Sequence, residues 1–417
     1  MEPYNADFGA RRGVRPRKQK SATNLMYFGS VSALAKEREI MKTRKFFHRK
    51  LAAVPVLLAA LLLLVLGIAA GRQDERLTDK HPKVREVIEV QEAVTPDLMA
   101  MEDVLGTAVG QDADGEITLI VYVNLEGKNP AKAAREIPGN LRGARVTVEV
   151  TEPFRAMQGK GGGNNKPDGG GGVSHTAKQT PPIQLGTSGS WRYDLANGYC
   201  CGGTLGALVH IGNTQYILSN YHVFWGDIVA GGNNLVATAG DPVIQPGLID
   251  VNCAANNAQN VATLSNAGSL PGSNVDAGIA QVVSGMVRTD GAILEIGTIS
   301  ASTVAASLNQ AVKKSGRTTG LTRSKITGLN ATVSVAYDNE CAGGPAFTKR
   351  FTGQIVISNK GNRFLNSGDS GSLMVEDVTT NPRAVGLLFA GSSTSAIANP
   401  IGQVLTFFKA SMVGNWE

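Results

Sequence analysis

Asn366-Ser367-Gly368-Asp369-Ser370-Gly371-Ser372-Leu373 places one serine hydroxyl on a glycine-rich turn with an acid beside it. A serine hydroxyl is a poor nucleophile at neutral pH. For Ser370 to act as one, the chain must supply a base, a group to orient that base, and donors for the oxyanion that forms. Gly368 and Gly371 allow a tight backbone path on which the N–H groups of Gly368 and Ser370 converge on one spot. The same residue types also build ordinary surface turns, so the reading depends on what the rest of the chain provides.

Two stretches upstream answer the requirement. Tyr216-Ile217-Leu218-Ser219-Asn220-Tyr221-His222-Val223 reads as a strand running into a polar corner that ends in a histidine, the candidate base. His210, between Val209 and Ile211, reads as structural. In Asn274-Val275-Asp276-Ala277-Gly278-Ile279-Ala280 one carboxylate is embedded in an apolar run read as a strand, Val275 to Val282. Burying a carboxylate costs several kcal/mol unless it is paired and hydrogen-bonded, so Asp276 needs a partner, and an imidazole N–H would serve. Asp227, Asp241 and Asp250 sit in looser polar surroundings and read as surface acids.

From about Pro182 onward, short strands alternate with turn signals: Gly203 to Val209, Gln215 to Leu218, Ala292 to Ile296, Thr332 to Tyr337, Gln354 to Ile357, Gly371 to Val375 and Ala384 to Ala390. That spacing predicts an all-β sandwich or pair of barrels. Asn399-Pro400 followed by Ile401, Val404, Leu405 and Phe408 predicts one closing helix.

ILSNYHV, VDAGIA and GDSGSL, in that order and with His222, Asp276 and Ser370 at successive separations of 54 and 94 positions, resemble the His, Asp and Ser segments of chymotrypsin-like serine proteases. Ser315-Gly316-Arg317-Thr318-Thr319-Gly320 and Gly386-Leu387-Leu388-Phe389-Ala390-Gly391 resemble the bacterial branch, and the similarity covers roughly residues 182 to 412. The resemblance implies a mainly β fold of two six-stranded antiparallel barrels with the cleft between them. It implies that Ser370 attacks a scissile carbonyl, His222 takes and returns the proton, Asp276 orients His222, and the N–H groups of Gly368 and Ser370 form the oxyanion hole. It further implies a protein or peptide substrate, a specificity pocket around Phe364, Phe389, Ala390 and Gly391, and no cofactor or metal. Phe364, at the pocket floor, predicts an uncharged, apolar or small preference. No Ile-Val-Gly-Gly start appears near Pro182, so Arg317 is expected to pair with Asp369 instead of a freed amino terminus. Three departures stand out. His222 has no neighbouring cysteine, Ser372 stands where a glycine is usual, and the serine that often supports the triad aspartate is not evident.

Ahead of this half, residues 158–181 read as a linker, with eight glycines between Gly159 and Gly172, separating two independently folding parts. Residues 72–157 read as a small α+β module: helix over Lys83 to Met101, strands at Val104 to Val109 and Ile117 to Val123, a short helix near Ala131 to Glu136, and a strand at Val146 to Val150. A module tethered ahead of an exported hydrolase suggests a pro-region that inhibits intramolecularly. The four cysteines, Cys200, Cys201, Cys253 and Cys341, all follow the linker. Their even number in an exported chain fits disulfides; adjacent Cys200 and Cys201 are poor partners for each other, which leaves two pairings.

Residues 1–50 carry 13 Lys+Arg against 4 Asp+Glu, a local +9, so the remaining chain sums to −3 although the whole is +6. The basic excess belongs to a leader expected to be disordered and gives no support for nucleic-acid binding by the folded part. Residues 51–71 contain twenty uncharged residues, Leu51 to Ala70, after a basic flank. This hydrophobic helix is long enough to cross a membrane, with the rest of the chain outside the cytoplasm. Met41 opens MKTRKFFHRK, a normal n-region, and Gly67, Ala69, Ala70 and Gly71 offer a processing site. A secreted protein is therefore expected, with membrane anchoring through residues 51–70 as the alternative; the functional alternative is a binding protein with a decayed protease site. Amino-terminal sequencing of the exported chain is expected to find a start near Arg72; a chain that still begins at Met1 or Met41 would contradict processing.

Overall fold

The computed structural model describes residues 76–161, 173–196, 199–226, 237–265, 268–337 and 347–416. The leader, the hydrophobic segment, the centre of the glycine-rich tract and Cys341 lie outside them. Among the described residues the chain is mainly β, with two large sheets and few helices, as the motifs lead one to expect. No described helix is long and apolar enough to cross a membrane.

The sheet beside Ser370 follows the order Ala311–Gly316, Leu373–Glu376, Ala384–Gly391, Ser395–Pro400, Phe347–Ser358 and Gly320–Tyr337, and the last of these pairs again with Ala311–Gly316. The other sheet runs through Ala207–Ile211, Thr214–Ser219, Gly278–Val282, Gln259–Leu264, Pro242–Gln245, Thr187–Trp191 and Tyr199–Leu205. The run LLFA within Ala384–Gly391 is buried throughout because this strand is covered on both faces, which suits an uninterrupted apolar sequence.

Several expected elements shift. The Asp276 segment is a loop, and the strand starts only at Gly278. Its peptide groups go to side chains: the Asp276 N–H donates to Asn399 Oδ1 (2.7 Å) and its carbonyl accepts from Asn220 Nδ2 (2.7 Å). Ala292 to Ile296 forms no strand; Glu295 adopts a left-handed backbone (φ 59°) that turns the chain. Thr332 to Tyr337 is the end of an 18-residue strand. The closing helix is present at Ile401–Phe408, with Pro400 as its cap instead of its first residue.

The amino-terminal module has the expected order. It comprises helix Pro82–Leu98, strands Val104–Gln111 and Ile117–Asn124, helix Pro130–Glu136 and strand Ala144–Thr151. It does not stand apart. Val104–Gln111 pairs antiparallel with Gly320–Tyr337, so the module extends the nucleophile's sheet and shares its core. One buried apolar cluster runs from Val84, Val109 and Val121 through Ile326, Ile357 and Leu388. The polar seam is satisfied as well, Gln91 Nε2 donating to the carbonyl of Asn330 (2.8 Å). The expected linker is likewise shorter than 158–181. Gly159–Gly161 forms a strand against Tyr199–Leu205, and from Val173 onward the chain packs on the body, with His175 buried between the carbonyl of Gly186 and Glu295 (2.7 Å each).

Cys200 and Cys253 form a disulfide, selecting one of the two pairings, and Cys201 is also disulfide-bonded. Because the module and the nucleophile's sheet share a core, they are expected to unfold together. Val121→Ala, at a fully buried position, is expected to cost about 2 kcal/mol. It should lower the transition seen by the fluorescence of Trp191 and Trp225 as much as that seen by far-UV circular dichroism; an unmoved fluorescence transition would show independent units.

Candidate active site

His222 sits on a single helical turn, Tyr221–Phe224, immediately after strand Thr214–Ser219. Asp276 lies in the loop before Gly278–Val282, which pairs with that same strand. Neighbouring strands thus deliver base and acid to one end of their sheet. Asp276 is fully buried and His222 is 2% exposed. Asp276 Oδ2 accepts from His222 Nδ1 (2.6 Å), and Oδ1 accepts from the His222 backbone N–H (3.3 Å). The carboxylate therefore fixes the proton on Nδ1 and leaves the Nε2 lone pair available. Nε2 has no hydrogen-bond partner among the described residues.

The support for Asp276 that the sequence did not reveal comes from Tyr337, at the end of the long strand of the other sheet. Its hydroxyl donates to Asp276 Oδ2 (2.8 Å). Burial, and then the adjacent carboxylate, push the Tyr337 phenol well above its usual range, so it stays a donor. A tyrosine closing an alternating strand carries no signal of this role in sequence.

Ser370 is fully buried and lies on the turn between Gly368 (φ 95°) and Gly371 (φ 90°). Both glycines are required. A Cβ on Gly371 would come within 2.2 Å of Ser219 Oγ, and one on Gly368 within 2.4 Å of Thr318 Oγ1. Ser372 explains itself here, since its hydroxyl donates to the carbonyl of Asp369 (2.5 Å) and closes the turn. Thr204 ties the turn to the opposite sheet, its N–H donating to the Ser370 carbonyl (2.8 Å) and its hydroxyl to the Gly368 carbonyl (2.9 Å). Ser370 Oγ donates to the carbonyl of Phe389 (3.1 Å). The Gly368 N–H points at a peptide oxygen, the carbonyl of Met157 (2.6 Å).

The expected partner of Asp369 is corrected. Arg317 does not reach it but forms a two-point ion pair with Asp250 (2.6 and 2.9 Å). Asp250, which reads as a surface acid, is half-buried there and also accepts from Ser188 (2.5 Å). Asp369 is held by Lys314 Nζ at 3.3 Å, both side chains fully buried. It also accepts from Thr319 Oγ1 (2.7 Å) and from the N–H groups of Thr318 (2.9 Å), Thr319 (3.1 Å) and Asn366 (3.0 Å). Lys314 donates in turn to the Gly320 carbonyl and to Thr319 Oγ1. Burial lowers the Lys314 ammonium below the usual lysine range, opposed by Asp369. Lys314 lies within strand Ala311–Gly316 and reaches Asp369, whereas Arg317 follows the strand and reaches Asp250.

Of the expected pocket, Phe364 is buried and shares an apolar cluster with Met157, Leu365 and Ala396. Gly391 faces Met157, whose Cε would lie 3.2 Å from a Cβ there. Phe389 contributes its carbonyl, while its ring packs on Phe351 (4.9 Å); Ala390 pairs with Ala156. Among the described residues no group of three metal-ligating side chains occurs.

A family model described as the Nal1 C-terminal domain matches residues 267–399, under half of the chain. No curated protein matches. Among solved structures, a glutamic-acid-specific serine protease that uses a histidine triad in substrate binding is 19% identical, with 55% of this chain and 100% of that one covered and a TM-score of 0.37. Thermobifida fusca Protease A is 18% identical over 56% of this chain and 99% of that one, also at 0.37. The MamO protease domain from Magnetospirillum magneticum is 10% identical over 60% and 93%, at 0.28.

The Lys314–Asp369 pair makes a direct prediction. Lys314→Met leaves a buried carboxylate without its cation and is expected to lose about 3–5 kcal/mol of stability, measured by denaturant unfolding. In double-mutant cycles Lys314→Met is expected to couple with Asp369→Asn by about 0.5–3 kcal/mol and Arg317→Ala with Asp250→Asn instead; coupling of Arg317 with Asp369 and none of Lys314 with it would contradict the assignment.

Proposed function

We propose that this protein with a chymotrypsin-like protease fold is an exported serine endopeptidase acting through His222, Asp276 and Ser370. The observation that carries the reading is the pre-oriented base. His222 donates Nδ1–H to a buried carboxylate that a second donor, Tyr337, also holds, and its Nε2 lone pair is free. The reading requires the Ser370 side chain to rotate away from the Phe389 carbonyl and direct Oγ to that lone pair. His222 then takes the proton as Oγ attacks a peptide carbonyl, Asp276 stabilises the imidazolium, and the N–H of Gly368, with that of Ser370, receives the oxyanion. The proton returns to the leaving amine, and water releases the acyl group by the reverse sequence.

An apolar preference at the residue preceding the scissile bond follows from Phe364 beneath the pocket, with no acid there to attract Lys or Arg. Residues 72–157 act as an intramolecular inhibitor in this reading, because the Gly368 N–H is already taken by Met157. The present orientation of Ser370 Oγ is the one observation that favours a binding protein without turnover.

Labelling with a serine-directed fluorophosphonate separates the two. The full chain and a Met157→Asp variant, made to weaken occupancy of the cleft, are treated and mapped by mass. Modification of Ser370 is expected, and Ser370→Ala is expected to lower peptide turnover by about 10⁴- to 10⁶-fold. No labelling of either chain, or turnover unchanged in Ser370→Ala, would overturn the assignment.

A further inference from the structure

The segment Phe154 to Gly161 lies across the cleft, held on both sides of the nucleophile. On one side, Phe154–Ala156 adds antiparallel to Ala384–Gly391, with Ala156 opposite Ala390 and Arg155 opposite Gly391. The Met157 N–H continues this pairing onto the Phe389 carbonyl (3.0 Å). The Met157 side chain is buried among the apolar residues that include Phe364, and its carbonyl oxygen accepts from the Gly368 N–H (2.6 Å). On the other side, Gln158 Nε2 donates to Asp194 (3.1 Å). Gly159–Gly161 then pairs antiparallel with Cys200 to Gly202. Gly159 must be glycine. A Cβ there would come within 2.8 Å of Ile249 Cδ1 and 3.0 Å of Gly368 Cα. Strand addition of this kind is how an extended peptide is recognised by main-chain hydrogen bonds, with pockets for alternate side chains.

Resting on the reading of an active serine endopeptidase, we infer that the Met157–Gln158 peptide bond is the protein's own substrate and is cleaved in cis. Ser370 Oγ attacks the Met157 carbonyl carbon while His222 Nε2 takes the hydroxyl proton. The oxyanion stays where the Gly368 N–H already holds it. The C–N bond breaks, His222 delivers the proton to the Gln158 amine, and Met157 is left as an ester on Ser370. A water molecule, deprotonated by His222, releases the Met157 carboxylate and restores Ser370. The products are a chain ending at Met157 and a catalytic chain beginning at Gln158. The module stays attached through the ladder between Val104–Gln111 and Gly320–Tyr337, so the new carboxylate remains in the cleft until displaced.

The register argues for this bond above its neighbours. Only Met157 presents its carbonyl to the Gly368 amide, and the strands on either side fix that alignment by independent pairings. A one-residue slip would remove the buried methionine from its apolar site and place a side chain where only Gly159 fits.

The test follows freshly purified full chain by intact mass and amino-terminal sequencing, beside Ser370→Ala and Met157→Asp. The expected result is conversion of the native chain to two fragments with a new start at Gln158, at a rate constant independent of protein concentration. Ser370→Ala is expected to stay whole. Met157→Asp, which puts a charge in an apolar site, is expected to slow the cut by about 100-fold or more. A native chain that stays intact while fluorophosphonate labels Ser370 in Met157→Asp would overturn self-cleavage and leave the protease reading standing. Absence of both cleavage and labelling would overturn both. A cut at another bond, or a rate that rises with concentration, would also overturn the proposal.

Discussion

A carboxylate buried with no exposure is the constraint on which the rest of this site depends. Removing Asp276 from water costs several kcal/mol unless its oxygens are fully provided for. The donors come from both sheets, with His222 following a strand of one and Tyr337 in a strand of the other, where Asn399 also accepts from the Asp276 backbone N–H. Satisfying one acid therefore fixes how the two halves of the cleft meet. The same hydrogen bonds choose the histidine tautomer, so stability and readiness for proton transfer arise from one arrangement.

A second buried acid, Asp369, does comparable work for the nucleophile's turn. Three backbone N–H groups, a threonine and Lys314 surround it, which holds the backbone at Gly368 in a left-handed conformation with its N–H turned into the cleft. Because the cation is a built-in lysine on a neighbouring strand, the turn needs no freed amino terminus to take this shape. Arg317 serves a different junction, joining the strand end at Gly316 to Asp250 across the sheets. The turn is therefore organised while the amino-terminal module is still attached, and the attached chain threads through it.

The module's placement alters what its role can be. A separate globule on a glycine tether would act by effective concentration alone. Here its strands continue the sheet that bears Ser370, and its last residues pass directly into the cleft. Docking of the module and folding of the sheet beside Ser370 are consequently coupled through shared hydrogen bonds and one apolar cluster, and the proposed inhibition would use the same contacts.

The pairing of His222 with Asp276 and the tight turn that carries Ser370 were legible in sequence because each lies in a short local pattern: a strand ending at a histidine, a lone acid in an apolar run, a serine between glycines. The mainly β class was legible for the same reason, since alternation and turn residues are local properties. What sequence left open were relations between residues far apart in the chain. Tyr337 lies 61 residues from the carboxylate it supports, and nothing local distinguishes it from any tyrosine at a strand end. Sequence put Arg317 forward as the partner of Asp369, whereas the fold gives that place to Lys314, three positions earlier, and pairs Arg317 with Asp250. The glycine-rich run beginning at Gly159 read as linker because glycine permits flexible coil, whereas tertiary structure uses its first residues as strand for the same physical reason, the absence of a Cβ where two backbones approach. Sequence by itself determined which residues are suited to the proposed chemistry, because their patterns are local; only the packing of the two sheets decided which groups hold those residues in place, and that the peptide in the cleft is the protein's own.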